Sequence, residues 1–158
     1  MKAGKVLYII GGLVTLLATF LFSFHTFFPG LDFYSIGFIM NIPVLFTSGD
    51  VLYIIMTIVF IIFLLSGIFI LLGGKSRVLA TIGFIFAIGV GVYFMLVFYM
   101  GVSFEISQFV FLDVFLDLAI IEGILPLTIN IGTVSIGPIL VLGGGVIGLI
   151  GRILDTDW

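Results

Sequence analysis

The sequence predicts an all-α integral membrane protein: a four-helix transmembrane bundle with both termini cytoplasmic and two apolar extracytoplasmic segments. Three observations predict it. The 158 residues are 63% hydrophobic and 8% charged, whereas water-soluble domains run at about 45–50% apolar and roughly 25% charged. Long runs of the chain contain no Asp, Glu, Lys or Arg, and a bilayer core requires about 20 such residues in helix. The few charges fall between those runs and sort by sign along the chain.

In chain order, the first span is Val6 to Phe28, interrupted by Thr15, Thr19, Ser23 and His25. An outer segment follows over residues 29–49. The second span is Val51 to Leu72, with Tyr53, Thr57 and Ser66, and an inner turn over residues 73–77 reads Gly-Gly-Lys-Ser-Arg. The third span is Val78 to Met100, followed by a second outer segment over residues 101–133. The fourth is Val134 to Leu154, with Pro138 in its first turn, where the missing N–H is tolerated. Residues 155–158 form a tail, and the whole is expected to be one tetraspan domain. The first span is expected to remain as a signal anchor, since its apolar run exceeds the roughly 7–15 residues of a cleaved signal core.

Charge sets the expected orientation, because cytoplasmic flanks retain Lys and Arg. Lys2, Lys5, Lys75, Arg77 and Arg152 all fall inside when both termini are cytoplasmic. Asp32, Asp50, Glu105, Asp113, Asp117 and Glu122 then fall outside, leaving Asp155 and Asp157 in the tail. This arrangement is expected of a multi-pass protein of the cell membrane.

The outer segments are unlike water-exposed loops, since they hold Phe33, Tyr34, Phe38, Ile39, Met40, Phe46, Phe104, Phe109, Phe111 and Phe115. Apolar surface of this extent is covered by another chain, by lipid or by folding on itself. In the first segment, Phe33 to Phe38 and Ile42 to Phe46 read either as short strands or as an interfacial turn. In the second, Phe104 to Glu122 reads as a helix that places Asp113 and Asp117 on one face. A rival reading makes Phe104 to Ile121 a fifth span with two buried aspartates, or a re-entrant or interface-lying helix. Charge placement argues against a fifth crossing, which would carry Arg152 outside. Leu127 to Ile136 alternates apolar and polar residues about Gly132, as a strand, hairpin or bulged strand does, and is expected to pair with first-segment strands into a small cap.

Small residues at helical spacing are the clearest motif. Ala80, Gly83, Ala87 and Gly91 share one face of the third helix, Gly144 and Gly148 one face of the fourth, and Gly11, Thr15, Thr19 and Ser23 one face of the first. Such faces admit close backbone approach where lipid supplies no hydrophobic drive. They serve packing within one bundle or an oligomer contact. The six outer acids could attract cations at a vestibule, although they lack calcium-loop spacing. His25, the only imidazole, fits an interfacial position, and Tyr93, Tyr99 and Trp158 fit interfacial anchoring or bundle contacts. Gly143-Gly144-Gly145 lacks the Lys-Ser/Thr of a phosphate loop and reads as packing.

No Ser/His/Asp or two-histidine constellation is present, and the absence of cysteine removes thiol chemistry, thiolate metal sites and disulfides. No catalytic residue, metal or cofactor is expected. Five scattered basic residues offer no surface for nucleic acid. Active transport is disfavoured because the four spans lack ionisable residues at their centres.

The plan of four spans, a very short inner turn and two outer segments resembles tetraspan families such as the tetraspanins and claudins. The likeness is one of topology. The Cys-Cys-Gly signature of tetraspanin outer loops and the Trp and paired Cys of the claudin outer segment have no counterpart in this sequence, so no functional residues carry over. The expected function is non-enzymatic assembly with itself or other membrane subunits in the lipid bilayer. A cation-permeable channel with an acidic outer mouth is the alternative. A lipid-binding or lipid-processing protein using His25 or the Asp113/Asp117 pair is the weaker one.

Overall fold

Large aliphatic side chains cover the outside of the bundle while glycine, alanine and hydroxyl groups fill much of its inside. The computed structural model describes residues 3–28, 31–47, 49, 51–102, 116–118 and 124–154. Its elements are α1 (Ala3–Leu21), β1 (His25–Phe28), β2 (Leu31–Phe33), α2 (Ser35–Thr47), α3 (Val51–Leu71) and α4 (Arg77–Tyr99). They continue with β3 (Leu116–Leu118), β4 (Asn130–Ile131), β5 (Val134–Ser135) and α5 (Ile136–Leu154). Among the described residues four helices are long and apolar enough to cross a membrane: α1, α3 with its 3₁₀ extension through Gly74, α4 and α5.

On α1, Gly4, Gly11, Gly12, Thr15, Ala18 and Thr19 are buried, whereas Ile9, Ile10, Leu13 and Leu17 are exposed. In water this distribution would be unfavourable; against lipid tails it is the expected one, because large apolar side chains gain little by leaving hydrocarbon and small ones let backbones meet. The helices form a ring in the order α1, α3, α4, α5, each packed on two neighbours.

At one end α3 runs through a 3₁₀ turn (Leu72–Gly74) into α4. Ser76 caps α4 by accepting from the Leu79 amide at 3.4 Å, a usual N-cap role for serine. Lys5, Lys75, Arg77 and Arg152 gather at this turn end, since Gly74 lies 3.9 Å from the Lys5 Cγ and Gly151 3.1 Å from the Gly4 carbonyl oxygen, measured from added methyl positions. Lys2 lies outside the described residues.

The other end is built differently from the sequence expectation. The first helix stops at Leu21, not Phe28, and His25–Phe28 is a strand. Aromatic and β-branched residues favour strand there, and Phe28 precedes Pro29, a position biased away from helix. The freed carbonyl of Leu21 accepts from the Leu127 amide at 2.7 Å, and the Ser23 amide returns to the Leu127 carbonyl at 3.1 Å. β1, β2 and β3 form an antiparallel sheet in that order, with Asp32 opposite both Thr26 and Asp117.

Two further expectations fail in the same region. Of the two readings of the first segment, short strands over Phe33 to Phe38 and Ile42 to Phe46 fail beyond Phe33, which ends β2; helix α2 takes up Ser35–Thr47, with Pro43 inside it. Tertiary packing overrides the local pattern, as Phe38 and Leu45, two turns apart, are buried on one side. The helix expected over Phe104 to Glu122 does not run through Leu116–Leu118, which pair with β2 as strand β3. Its remaining residues lie outside the described ones, and so do Asp50 and the tail.

Leu127 to Ile136 contains the hairpin β4–β5, closed by Gly132 and Thr133 with Gly132 at φ 66°. Positive φ at the first of two turn residues alone fits a type II′ turn. This hairpin pairs with itself and not with first-segment strands; sheet β1–β2–β3 is separate. α5 then begins at Ile136, with Pro138 in its first turn.

Candidate functional site

Three of the four helix seams contain a glycine that the neighbouring backbone requires, and the fourth contains one packed closely on side chains. A methyl on Gly11 would lie 2.7 Å from the Gly144 carbonyl oxygen and 2.8 Å from the Gly148 amide nitrogen, at the α1–α5 seam. One on Gly67 would lie 2.8 Å from the Leu16 amide nitrogen (α1–α3), one on Gly83 2.7 Å from the Ser66 carbonyl oxygen (α3–α4), and one on Gly145 3.1 Å from the Ala87 Cβ (α4–α5). Real Cβ atoms do not approach backbone within 3.0 Å, so only glycine permits the first three crossings, whereas at Gly145 the neighbouring side chains would have to give.

The structure therefore brings the predicted faces together within one chain. Gly11 and Thr15 meet Gly144 and Gly148; a methyl on Gly91 would lie 3.1 Å from the Leu142 Cβ; Ala80, Ala87 and Thr19 are buried. The Thr15 Oγ1 occupies the place a Gly144 Cβ would take, so an α-hydrogen of Gly144 points at that hydroxyl in the weak Cα–H···O contact of close helix pairs. Thr15, Thr19, Ser23 and Ser66 hydroxyls are all buried without a conventional hydrogen-bond partner. By contrast Thr57 and Thr81 donate back to the carbonyls four residues earlier, at 2.7 and 2.8 Å.

An aromatic plug fills the sheet end. Phe94 stacks on Phe24 at 4.8 Å and meets Phe33 at 5.6 Å, Phe63 at 6.0 Å and Phe60 at 6.2 Å. Phe24, Phe33, Phe63 and Phe94 are fully buried. Tyr99 closes the plug: its hydroxyl donates to the Phe24 carbonyl at 2.7 Å and accepts from the Ser135 amide at 3.0 Å. One phenol thus joins the end of α4 to the chain after α1 and the start of α5. Tyr99→Phe is expected to leave both backbone groups unsatisfied and to cost about 1–3 kcal/mol for each. Faster hydrogen exchange at the Ser135 amide, with secondary structure retained, is the measurement that checks it.

His25 stacks on Phe98 at 4.8 Å with an 8° interplanar angle and meets Tyr99 edge-on at 5.5 Å. Burial in this aromatic setting holds its pKa below the usual 6.5. The native state thus binds fewer protons than the unfolded chain just below that value, so the contribution is complete above about pH 6.5 and declines as pH falls through it. Melting temperatures at pH 7.5 and 5.0 should diverge more for the parent than for His25→Phe, which keeps the ring and loses the titration.

Of the six outer acids, Asp32 is 5% exposed and accepts from the Thr26 hydroxyl at 2.7 Å. Asp117 is its register partner in the ladder. Asp50, Glu105, Asp113 and Glu122 lie outside the described residues. Among the described residues no three His, Asp or Glu side chains gather as metal ligands would. On the flank of the bundle an apolar groove of about 320 Å³ opens between α3 and α4, lined by Met56, Phe60, Ile85, Gly89 and Tyr93 among others.

Sequence reasoning missed Gly12 and Gly67, which make the α1–α3 seam, and the joining role of Tyr99. The Ser66-Gly67 pair in an otherwise bulky helix was the readable signal for the seam; nothing local marked Tyr99. The arrangement defines a helical bundle with four candidate spans, glycine seams and an aromatic plug at one end. No known protein family, curated protein or solved structure matches the chain.

Proposed function

We propose that the protein is a non-enzymatic, multi-pass protein of the cell membrane that acts by assembly, as a homo-oligomer or a small subunit of a larger complex. In this reading both termini and the turn end are cytoplasmic, in keeping with the basic residues gathered there. The observation that carries it is the apolar surface at the sheet end. Leu127, Ile129 and Ile131 are all exposed, as are Ile124 and Met100, beyond the four candidate spans. The small-residue faces are already engaged inside the bundle, so they are not the contact surface; the hairpin edge is. Native mass spectrometry in lipid nanodiscs is expected to detect an oligomer that Ile129→Ser with Ile131→Ser dissociates. A strictly monomeric parent with no co-purifying subunit overturns the reading.

A further inference from the structure

We infer that α2 is a half-membrane helix, embedded among the acyl chains of the leaflet at the sheet end, and not an extramembrane loop. The inference rests on α3 being a membrane span. Thr47 is followed within three residues by Val51, the start of α3, so the two helices form a tight helical hairpin. Phe38, near the start of α2, meets Phe60, ten residues into α3, at 5.5 Å. α2 therefore runs antiparallel to the first half of α3 and lies at the same depth. Its 13 residues extend about 20 Å, roughly two thirds of a hydrocarbon core of about 30 Å.

Chemistry agrees with that depth. From Phe33 through Gly49 the chain carries no charged residue. On α2, Met40 and Val44, one helical turn apart, are 64% and 66% exposed, and Val51, Ile55 and Ile58 in the first half of α3 are exposed as well. Two of its three polar side chains turn back onto their own helix, and the third, the Ser35 hydroxyl, is buried. Asn41 donates to the Gly37 carbonyl at 3.0 Å, and the Thr47 hydroxyl reaches the Pro43 and Val44 carbonyls, each at 3.0 Å. Polar groups that cannot reach water satisfy themselves in this way. The non-helical backbone leading into α2 is shielded by protein, as membrane depth demands, since Asp32, Phe33 and Tyr34 are buried. Acyl chains are thus the occupant of the exposed face.

The natural absence of cysteine makes the test direct. Met40→Cys and Val44→Cys are compared in proteoliposomes with Ile58→Cys on α3 and Thr133→Cys at the hairpin turn. The two α2 variants should react with a membrane-impermeant maleimide about tenfold or more slowly than Thr133→Cys, because the reactive thiolate is disfavoured in apolar surroundings. Fluorophores attached at either position before reconstitution should be quenched by doxyl groups placed along the lipid tails. Rapid aqueous labelling of Met40→Cys and Val44→Cys beside a protected Ile58→Cys overturns the inference alone. Rapid labelling of Ile58→Cys as well overturns the span that it rests on. Disulfide dimers through Val44→Cys that survive dilution into excess lipid would make a second copy the occupant. Cross-linking of Val44→Cys to residues 103–115 would make that segment the occupant, and either result rejects lipid.

Discussion

Gly144→Leu is expected to be strongly damaging to the bundle, while the same change one residue earlier is tolerated. At Gly144 the first carbon of any side chain meets the Thr15 hydroxyl, the Gly11 carbonyl oxygen at 2.8 Å and the Thr15 amide nitrogen at 2.8 Å. Two of those three atoms are backbone and cannot swing aside, so α1 and α5 must separate. Overpacking of a core costs about 1–3 kcal/mol where side chains can yield, and this site falls at or above the upper end. A Cβ on Gly143 meets nothing within 4 Å, and removing a glycine from a helix interior favours the helix by roughly 1 kcal/mol. Reversible unfolding in mixed micelles is the measurement: Gly144→Leu should unfold at markedly lower denaturing detergent, and Gly143→Leu at parent level or above. Equal midpoints for the two variants would refute the α1–α5 seam.

Phe94→Ala is expected to loosen the sheet end while leaving the turn end intact. Its ring lies against Phe24, Phe33, Phe60 and Phe63 at once, so truncation opens a cavity that no single neighbour can fill. Large-to-small substitutions of buried aromatics cost about 3–5 kcal/mol in water-soluble cores. Within a bilayer the transfer component shrinks because lipid tails are as apolar as the ring; the lost contacts remain, so the expected loss is about 3 kcal/mol. The Phe24 amide, which donates to the Phe33 carbonyl at 2.7 Å, should lose hydrogen-exchange protection, while the Ala80 amide, which donates to Ser76 at 3.2 Å at the turn end, keeps it. Truncating Ile85, 55% exposed on α4, should change neither.

These two residues differ in how readily they are found. Gly144 stands out in the sequence because Gly148 follows it by one helical turn and Gly11 with Thr15 supplies a matching stripe. Pairing the two stripes with each other, and not with a second molecule, requires the fold. Phe94 is one of 19 phenylalanines, and hydropathy treats them alike; those facing the plug and those facing lipid are chemically identical along the chain. Tyr99 is harder still, since its partners Phe24 and Ser135 lie 75 and 36 positions away. The helix ends divide in the same way. Ser76 and Pro138 are local signals, and both fall in the first turn or cap of their helices. The stop at Leu21 depends on an amide contributed by Leu127, far along the chain.

The sequence by itself determined the four long apolar helices, the collection of basic residues into segments that meet at one end, and the extended character of the chain about Gly132. Each follows from composition, hydropathy or turn chemistry within a window of the chain, where the physical cause is local. Only the tertiary structure decided that α1 ends early, that Ser35–Thr47 is helix and not strand, and that Leu116–Leu118 is strand and not helix. It also decided that the small-residue faces close on one another. In those segments helical and extended conformations are of similar intrinsic cost, and the outcome is settled by whichever distant backbone group or ring is there to receive them.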